Sequence, residues 1–457
     1  MPRGIVAGRA TYSYKDRYFA EFNFGYNGSE NFAPGHRFGF FPSGAVGYMI
    51  SNEPWFEDAK KVVSHLKLKA SYGKIGNDQI GGGRRFAYNT TLNTGASGAN
   101  WGSETGSSYI NGTTYKTFGN PAVSWEEATK FDTGIEIDFF NALKIQADYF
   151  YDMRDGIFLE RKSTPGAVGM NVTQFVNIGQ MVNRGFDLSA QFDYTFASGL
   201  SLSARGNFTF NRNKVLYNDE PDQIWKYQNT VGFAHNQQRG LIAEGLFTSQ
   251  EEIDNWPTQK FGDVRVGDIK YRDINGDGIV DTYDMVKIGY SVIPEITYGF
   301  GVSLNYKGFD ASVFFSGVDH VTRIISGNNL FGGATTSVRQ EGQIFADVAE
   351  KAWTTVNPDP NAVYPRQSLT GANNNKQPST FWQKDMSFLR LKNAEIGYTF
   401  PKKWTNKIKM KTLRVYVSGV NLLTFSQFKL WDPEVTASNG NAYPTTRNVS
   451  IGLNVNF

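Results

Sequence analysis

Cysteine is absent from the 457 residues, which excludes disulfides and thiolate metal sites while leaving the redox compartment open. No run approaches the roughly 18 consecutive apolar residues that a transmembrane helix needs. Histidine is scarce, and His36, His65, His235 and His320 show no metal-ligand spacing. Neither a GxSxG elbow nor an HExxH helix occurs. The carboxylate pairs Glu126-Glu127 and Glu251-Glu252 read as solvated strand-end or loop charges. Gly81-Gly82-Gly83 before Arg84-Arg85 lacks the Lys-Ser/Thr and helix of a phosphate cradle and reads as a loop. Charge is balanced, with 46 basic and 43 acidic residues giving +3, so no footprint for nucleic acid or an anionic membrane surface exists. The start, MPRGIVAGRATYSY, has no signal-peptide apolar core. Two classes survive: a soluble protein, or one that crosses a membrane as strands. The second requires an export signal, so the expectation is that the N-terminal part of a longer protein precedes Met1.

Aromatic residues make up 15% of the chain and glycine contributes 48 residues, and the dominant pattern is alternation of apolar and polar side chains. Tyr18, Ala20, Phe22, Phe24 and Tyr26 share one face, opposite Arg17, Glu21 and Asn23. Leu143, Ile145, Ala147, Tyr149, Tyr151 and Met153 oppose Lys144, Gln146, Asp148 and Asp152. Residues 186–196, 200–210, 296–306 and 449–457 repeat the pattern. These runs are about ten residues long, twice the usual soluble strand and close to the length that crosses a tilted bilayer path.

About thirteen strands are predicted, starting near Gly4, Arg17, Gly39, His65, Val123, Leu143, Gln180, Leu200, Ile293, Phe309, Phe388, Lys411 and Arg447. Lys15-Asp16, Asn141-Ala142, Ala197-Ser198-Gly199 and Lys307-Gly308 read as tight hairpins, and 51–64 and 401–410 as longer links of the same parity. Long polar loops near 74–122, 160–179, 214–292, 317–387 and 423–446 fall between them. Short turns on one side and long loops on the other are the pattern of outer-membrane barrels, with periplasmic turns and extracellular loops. A soluble sandwich or propeller also alternates, but strand length, loop parity and the aromatic strand ends count against it. The expected fold is therefore all-β, an antiparallel transmembrane β-barrel with its apolar face toward lipid.

The sharpest local motif is DINGDGIVDTYD. Asp273, Asn275, Asp277, the carbonyl of Ile279, Asp281 and Asp284 occupy positions 1, 3, 5, 7, 9 and 12 of an EF-hand-like loop, with Gly278 at the sharp sixth position. That spacing converges hard oxygens on Ca²⁺. Asp at the twelfth position has a shorter arm than the usual Glu, no helix pair flanks the loop, and 266–272 reads as a strand. A turn closed by its own Asn and Asp side chains is the alternative. Trp101, Trp225, Trp256, Trp353, Trp382 and Trp431 lie in the long loops, where flat rings suit stacking on sugar faces or a lid protein. Loop anchoring and interfacial packing explain them equally simply. Phe457 ends the last alternating run as a terminal aromatic.

Three stretches carry a family resemblance. FLRLKNAEIGYTFP from Phe388, RVYVSGVNLLTFSQFKLWDPE from Arg414 and RNVSIGLNVNF from Arg447 resemble the last three strands of SusC/RagA-type TonB-linked (TonB-dependent) outer-membrane transporters. WEEATKFDTGIEIDFF from Trp125, the strand from Leu143, and NIGQMVNRGFDLSAQF from Asn177 are similar to the middle of that barrel. The resemblance covers nearly the whole chain, 1–457, and implies its C-terminal barrel portion in the outer membrane, with signal peptide and plug domain absent and 214–292 an extracellular loop. It further implies import of a glycan, oligosaccharide or peptide, driven through TonB by way of the missing N-terminal part, with a SusD-like surface lipoprotein as lid. Phe457 then resembles the signal read by barrel-insertion machinery. Such barrels have about 22 strands around a plugged lumen. An arc of about thirteen leaves two edges unpaired in lipid, so this portion alone is expected neither to close nor to transport. No enzyme chemistry is expected; a passive porin or a β-barrel enzyme is the alternative class.

Overall fold

In the computed structural model of the chain, residues 4–80, 85–102, 108–169, 172, 174–331, 344–368 and 373–457 are described. Gly81 to Arg84 of the glycine-rich stretch lie outside them. Thirteen long strands carry the architecture: β1 Ile5–Tyr14, β2 Tyr18–Gly28, β3 Phe38–Met49, β4 Val63–Asn77, β5 Glu126–Phe139, β6 Leu143–Glu160, β7 Phe175–Thr195, β8 Ser201–Tyr217, β9 Ile296–Tyr306, β10 Phe309–Asp319, β11 Phe388–Thr399, β12 Thr412–Ser426 and β13 Asn448–Asn456. They hydrogen-bond in chain order as one 13-stranded sheet. Each lies beside its neighbour in that series, the up-and-down order expected for a membrane barrel.

Short hairpins join the strands on one side. Lys307 and Gly308 (φ 49° and 88°) form a two-residue turn between the paired Tyr306 and Phe309, and Lys15 and Asp16 (φ 52° and 51°) open a three-residue link between the paired Tyr14 and Tyr18; all four are in the left-handed region that matches strand twist. The turn between β5 and β6 is one residue earlier than expected, with the left-handed conformation at Phe140 and Asn141 (both φ 53°). Asn tolerates that backbone; the extended pattern simply ran on through Phe140 in the sequence.

Cross-strand register keeps one face apolar. Tyr18 pairs Tyr48, Ala20 pairs Val46, Tyr48 pairs Leu68 and Leu68 pairs Ile135. In the C-terminal strands, Leu202 pairs Leu304, Val302 pairs Val313, Ala311 pairs Ile396, Ile396 pairs Val417 and Val417 pairs Ile451. Nothing in the described chain covers this face: Val46 is 61% exposed and Ile451 81%. Apolar rows of this kind in water are a liability; against hydrocarbon they are the matching solvent.

Aromatics mark the short-turn ends. Tyr18 stacks on Tyr48 at 5.1 Å with Tyr14 beyond it at 6.5 Å, and Lys15 sits 5.2 Å from the Tyr14 ring centre. Separately, Phe309, Tyr398, Phe400 and Trp404 form a chain of ring contacts 4.5 to 6.1 Å apart. Tyr and Trp bodies with a polar tip and lysines that reach for water are the side chains of a membrane–water interface.

The strands exceed expectation in length. β6, β7 and β8 have 18, 21 and 17 residues, and at ~3.3 Å per residue the longest reaches about 70 Å, more than twice a ~30 Å hydrocarbon core even before tilt is counted. Two compact units partition the chain: Met1–Ala190 with Asn211–Asp222 and Asn229–Ala234, and Gln191–Phe210 with Gln223–Gln228 and His235–Phe457. The buried core lies in loops, not in the sheet. In the second unit Leu241, Ile269, Tyr271, Val280, Ile325, Leu330, Val348 and Trp382 pack together; in the first, Phe32, Ile80 and Val123 do so with Trp125 against them.

If lipid meets the apolar face, charge is costly there and cheap one residue away. Val302→Arg in β9 is expected to destabilise the full-length protein by about 2–4 kcal/mol, and Ser303→Arg by under about 1 kcal/mol, in urea titrations of folding into lipid vesicles. Equal costs would remove the assignment of faces.

Candidate functional site

The face opposite the apolar one is polar and densely ion-paired. Lys69 Nζ lies 2.8 Å from Asp148 and 3.6 Å from Glu136, with Lys67 and His65 each 3.7 Å from Glu136. Arg9 bridges to Glu21 at 2.8 Å and Lys130 to Asp152 at 3.2 Å. In the second unit Arg414 holds Asp310 at 2.9 Å through Nε and Glu395 at 2.5 Å. Alternation dictates this: every second residue of a strand shares a face, so Arg9, Glu21, Lys69 and Asp148 cannot reach lipid. A hydrophilic wall that passes polar solutes or seats a polar domain is what this face offers. Of the paired carboxylates of the sequence, the Glu127 side chain is exposed and meets Lys74 at 3.0 Å, whereas Glu126 and Glu252 are largely covered and pair with Arg154 at 3.7 Å and Lys270 at 2.5 Å.

Above the strands the long loops are ordered structures. The 74–122 loop contains an antiparallel hairpin, Thr91–Trp101 with Ser108–Thr117. In the second unit a buried polar network organises the loop core, and sequence reasoning missed it. Asp268 is fully buried and takes a two-pronged bond from Arg366 at 2.9 and 3.0 Å, and Asn375 Nδ2 donates to it at 2.8 Å. Gln259 Nε2 donates to Asn374 at 2.7 Å, while the Tyr271 hydroxyl donates to the Asn374 carbonyl at 2.9 Å, burial pushing that phenol far up. The run Asn373-Asn374-Asn375 was the available signal, but its partners lie more than 100 residues away. Arg390, 1% exposed, reaches Asp432 at 2.6 Å and Glu434 at 3.2 Å, so the WDPE stretch anchors the last loop to β11.

The tryptophans divide. Trp353 and Trp382 are buried in the loop core, with Trp382 Nε1 donating to the Asn375 carbonyl at 2.7 Å. Gly267, at φ +89°, leaves the Trp353 ring room that a Cβ would take, at 2.3 Å. Trp431 packs edge-on to Phe428 at 4.8 Å. Trp256 donates to the Tyr271 carbonyl at 2.8 Å beneath Lys270. These four spend their rings on packing, because loops of this length need a core of their own. Trp101 is 64% exposed, and Trp225, partly exposed, stacks on Tyr227 at 6.1 Å; of the six loop tryptophans singled out in the sequence, these two are the exposed ones.

The Asp273 loop follows the strand Ile269–Tyr271 and ends in a single turn at Thr282–Asp284. Asp273 accepts from Gly276 and Gly278 N–H at 2.7 and 2.8 Å, Asn275 from Asp277 at 2.9 Å, Asp277 from Ile279 at 2.9 Å and Asp281 from Tyr283 at 2.7 Å. Gly276 and Gly278 take φ +76° and +79° to allow it. Asp284, fully buried, uses both oxygens on the N–H groups of Ile274, Asn275 and Asp281. The oxygen types suit a hard cation, but the shorter twelfth-position arm is committed to the main chain. Among the described residues no three His, Asp or Glu side chains are gathered to hold a metal. The four histidines likewise stand apart, His65 beside Glu136 and His320 stacked on Tyr290 at 4.3 Å with Glu295 at 3.3 Å.

A long, in-order antiparallel ladder with a lipid-type face, an ion-paired face and large loops on one side defines a transmembrane β-barrel of the outer-membrane class. The chain belongs to the TonB-dependent receptor family: the family model described as TonB dependent receptor-like, beta-barrel, matches residues 4–422. TonB-dependent receptor P26 of Formosa agariphila is 31% identical, with 98% of this chain and 46% of that protein covered. TonB-dependent receptor SusC of Bacteroides thetaiotaomicron is 26% identical, covering 98% and 43%. A solved structure titled as the RagAB peptide transporter superposes with TM-score 0.77 at 23% identity, over 99% of this chain and 47% of that one. The chain therefore spans about half the length of the relatives it matches, and it is an outer-membrane protein of SusC/RagA type.

The hydrogen bonds within the Asp273 loop predict that Asp284→Ala exposes the amides of Ile274, Asn275 and Asp281, losing about 1–3 kcal/mol of local hydrogen-exchange protection. Millimolar Ca²⁺ is expected to leave that protection unchanged in the unsubstituted protein. Strong Ca²⁺-dependent protection would instead give Asp273, Asn275, Asp277, Asp281 and the Ile279 carbonyl to the ion.

Proposed function

We propose that this chain supplies the C-terminal wall and loop assembly of an importer that moves an oligosaccharide or peptide across the outer membrane with energy from TonB. The observation that carries the reading is the register itself, which sets an uncovered apolar face back to back with the Lys69–Asp148–Glu136 and Arg414–Asp310–Glu395 clusters. Lipid takes one side; a plug or polar cargo takes the other. The long loops then face the outside of the cell, where their folded core forms a vestibule, and a SusD-like surface lipoprotein is the partner that closes over it. The fold shared with a protein described as a peptide transporter supports a peptide among these cargoes.

In cells expressing the full-length protein, accumulation of labelled oligosaccharide or oligopeptide is expected to stop when the gene is deleted, when TonB is removed, or when a protonophore collapses the proton gradient. Full-length protein in planar bilayers is expected to show no steady conductance. Persistent ion current together with uptake that ignores TonB would make it a passive pore instead.

A further inference from the structure

The loop assembly of the second unit lines an open cavity of about 540 Å³, in the range of small-ligand pockets. It is built by segments distant in sequence: the short helix Ala346–Lys351, the strand Gln383–Asp385 and the stretch 427–430. Phe345, Val363, Phe428 and Leu430 give it an apolar wall. Its polar lining is mainly cationic, through Lys351, Lys384 and Lys429, against Asp347 and Asp385.

Those charges do not cancel in place. Asp347 is spent: Lys351 donates to one oxygen and the Tyr364 hydroxyl to the other at 2.7 Å, and those bonds, Lys351's foremost, hold its carboxyl below the usual range. Asp385 is exposed and accepts the Ser387 N–H at 2.8 Å. Among the described residues, Lys384 Nζ donates only to the Phe381 carbonyl, at 3.1 Å. Among the described residues no carboxylate stands within ion-pair distance of Lys384 or Lys429. Burial pushes the Lys384 ammonium down, since nothing compensates the water it has lost. A partly desolvated ammonium beside an apolar wall is an incomplete pair, and an anion on the ligand completes it at little further desolvation cost.

We propose that this cavity receives a carboxylate-bearing ligand, its anionic end on Lys384 and its apolar body against Phe345, Val363, Phe428 and Leu430. Two sources present that chemistry: the C-terminus of a short peptide and a sugar acid. The proposal rests on the import reading only in calling the ligand cargo, because binding is measured without transport.

The test is calorimetric titration of the full-length protein in detergent with N-acetyl-Leu-Phe, with its C-terminal amide, and with digalacturonate. At least one acid is expected to bind, with N-acetyl-Leu-Phe at least about tenfold tighter than its amide if the peptide is the source. Lys384→Gln should remove that advantage, Lys384→Arg should restore it, and thermal melts of both variants establish that they fold. Binding of digalacturonate alone, lost in Lys384→Gln, supports the proposal and assigns the sugar acid. Equal affinity for acid and amide, an unchanged Lys384→Gln, or no binding of either acid overturns it. TonB-dependent uptake that continues in a protein failing these titrations shows that the cavity assignment is wrong while the import reading stands.

Discussion

Hydrocarbon offers no hydrogen-bond partner, so every peptide group that enters it has to be paired within the chain. That single requirement explains the antiparallel ladder, the in-order strand pairing and the tight turns. A turn such as Lys15-Asp16 keeps β1 and β2 in register because its left-handed backbone matches the strand twist. Register in turn decides which residues face lipid, since a slip of one residue exchanges the faces completely. Lys69 and Val46 are neighbours in space on adjacent strands; only pairing order keeps one with Asp148 and the other in the membrane.

The protein is consequently inverted relative to a water-soluble domain. Its sheet exposes apolar side chains and turns charges the other way, while the water-soluble pattern of buried apolar core and satisfied polar groups reappears in the loops. Asp268, Arg366, Asn374, Asn375 and Gln259 form a buried network in which each donor meets an acceptor, the condition under which such groups are tolerated. Lys384, which lines the cavity, is a partly buried cation in that assembly whose partner among the described residues is a carbonyl.

The strands were legible because their signal is local. All thirteen expected starts fall within about five residues of an observed strand, as period-two alternation needs no knowledge of partners. Strand lengths were not legible. Beyond the membrane both faces of β7 and β8 meet polar surroundings, so alternation fades at Asn177 and Asn213 while the ladder continues. The loops hid more. Nothing in the local sequence says that Trp353 and Trp382 are buried while Trp101 is exposed, because their burial is decided by segments such as 268–271 and 373–376 folding over them. The Asp273 motif was legible as a loop of converging Asp and Asn side chains, open to a cation or to closure on itself; the backbone amides that Asp284 takes were not, since they lie up to ten residues away from it.

The loop core of the second unit draws on residues from Leu241 to Phe428, contributed by three successive excursions of the chain. Its last contributors emerge after β12, with only β13 still to follow. The loop core therefore cannot be completed piece by piece alongside the strands: Leu241, Ile269 and Trp382 find their full set of neighbours only once Phe428 and Trp431 are in place.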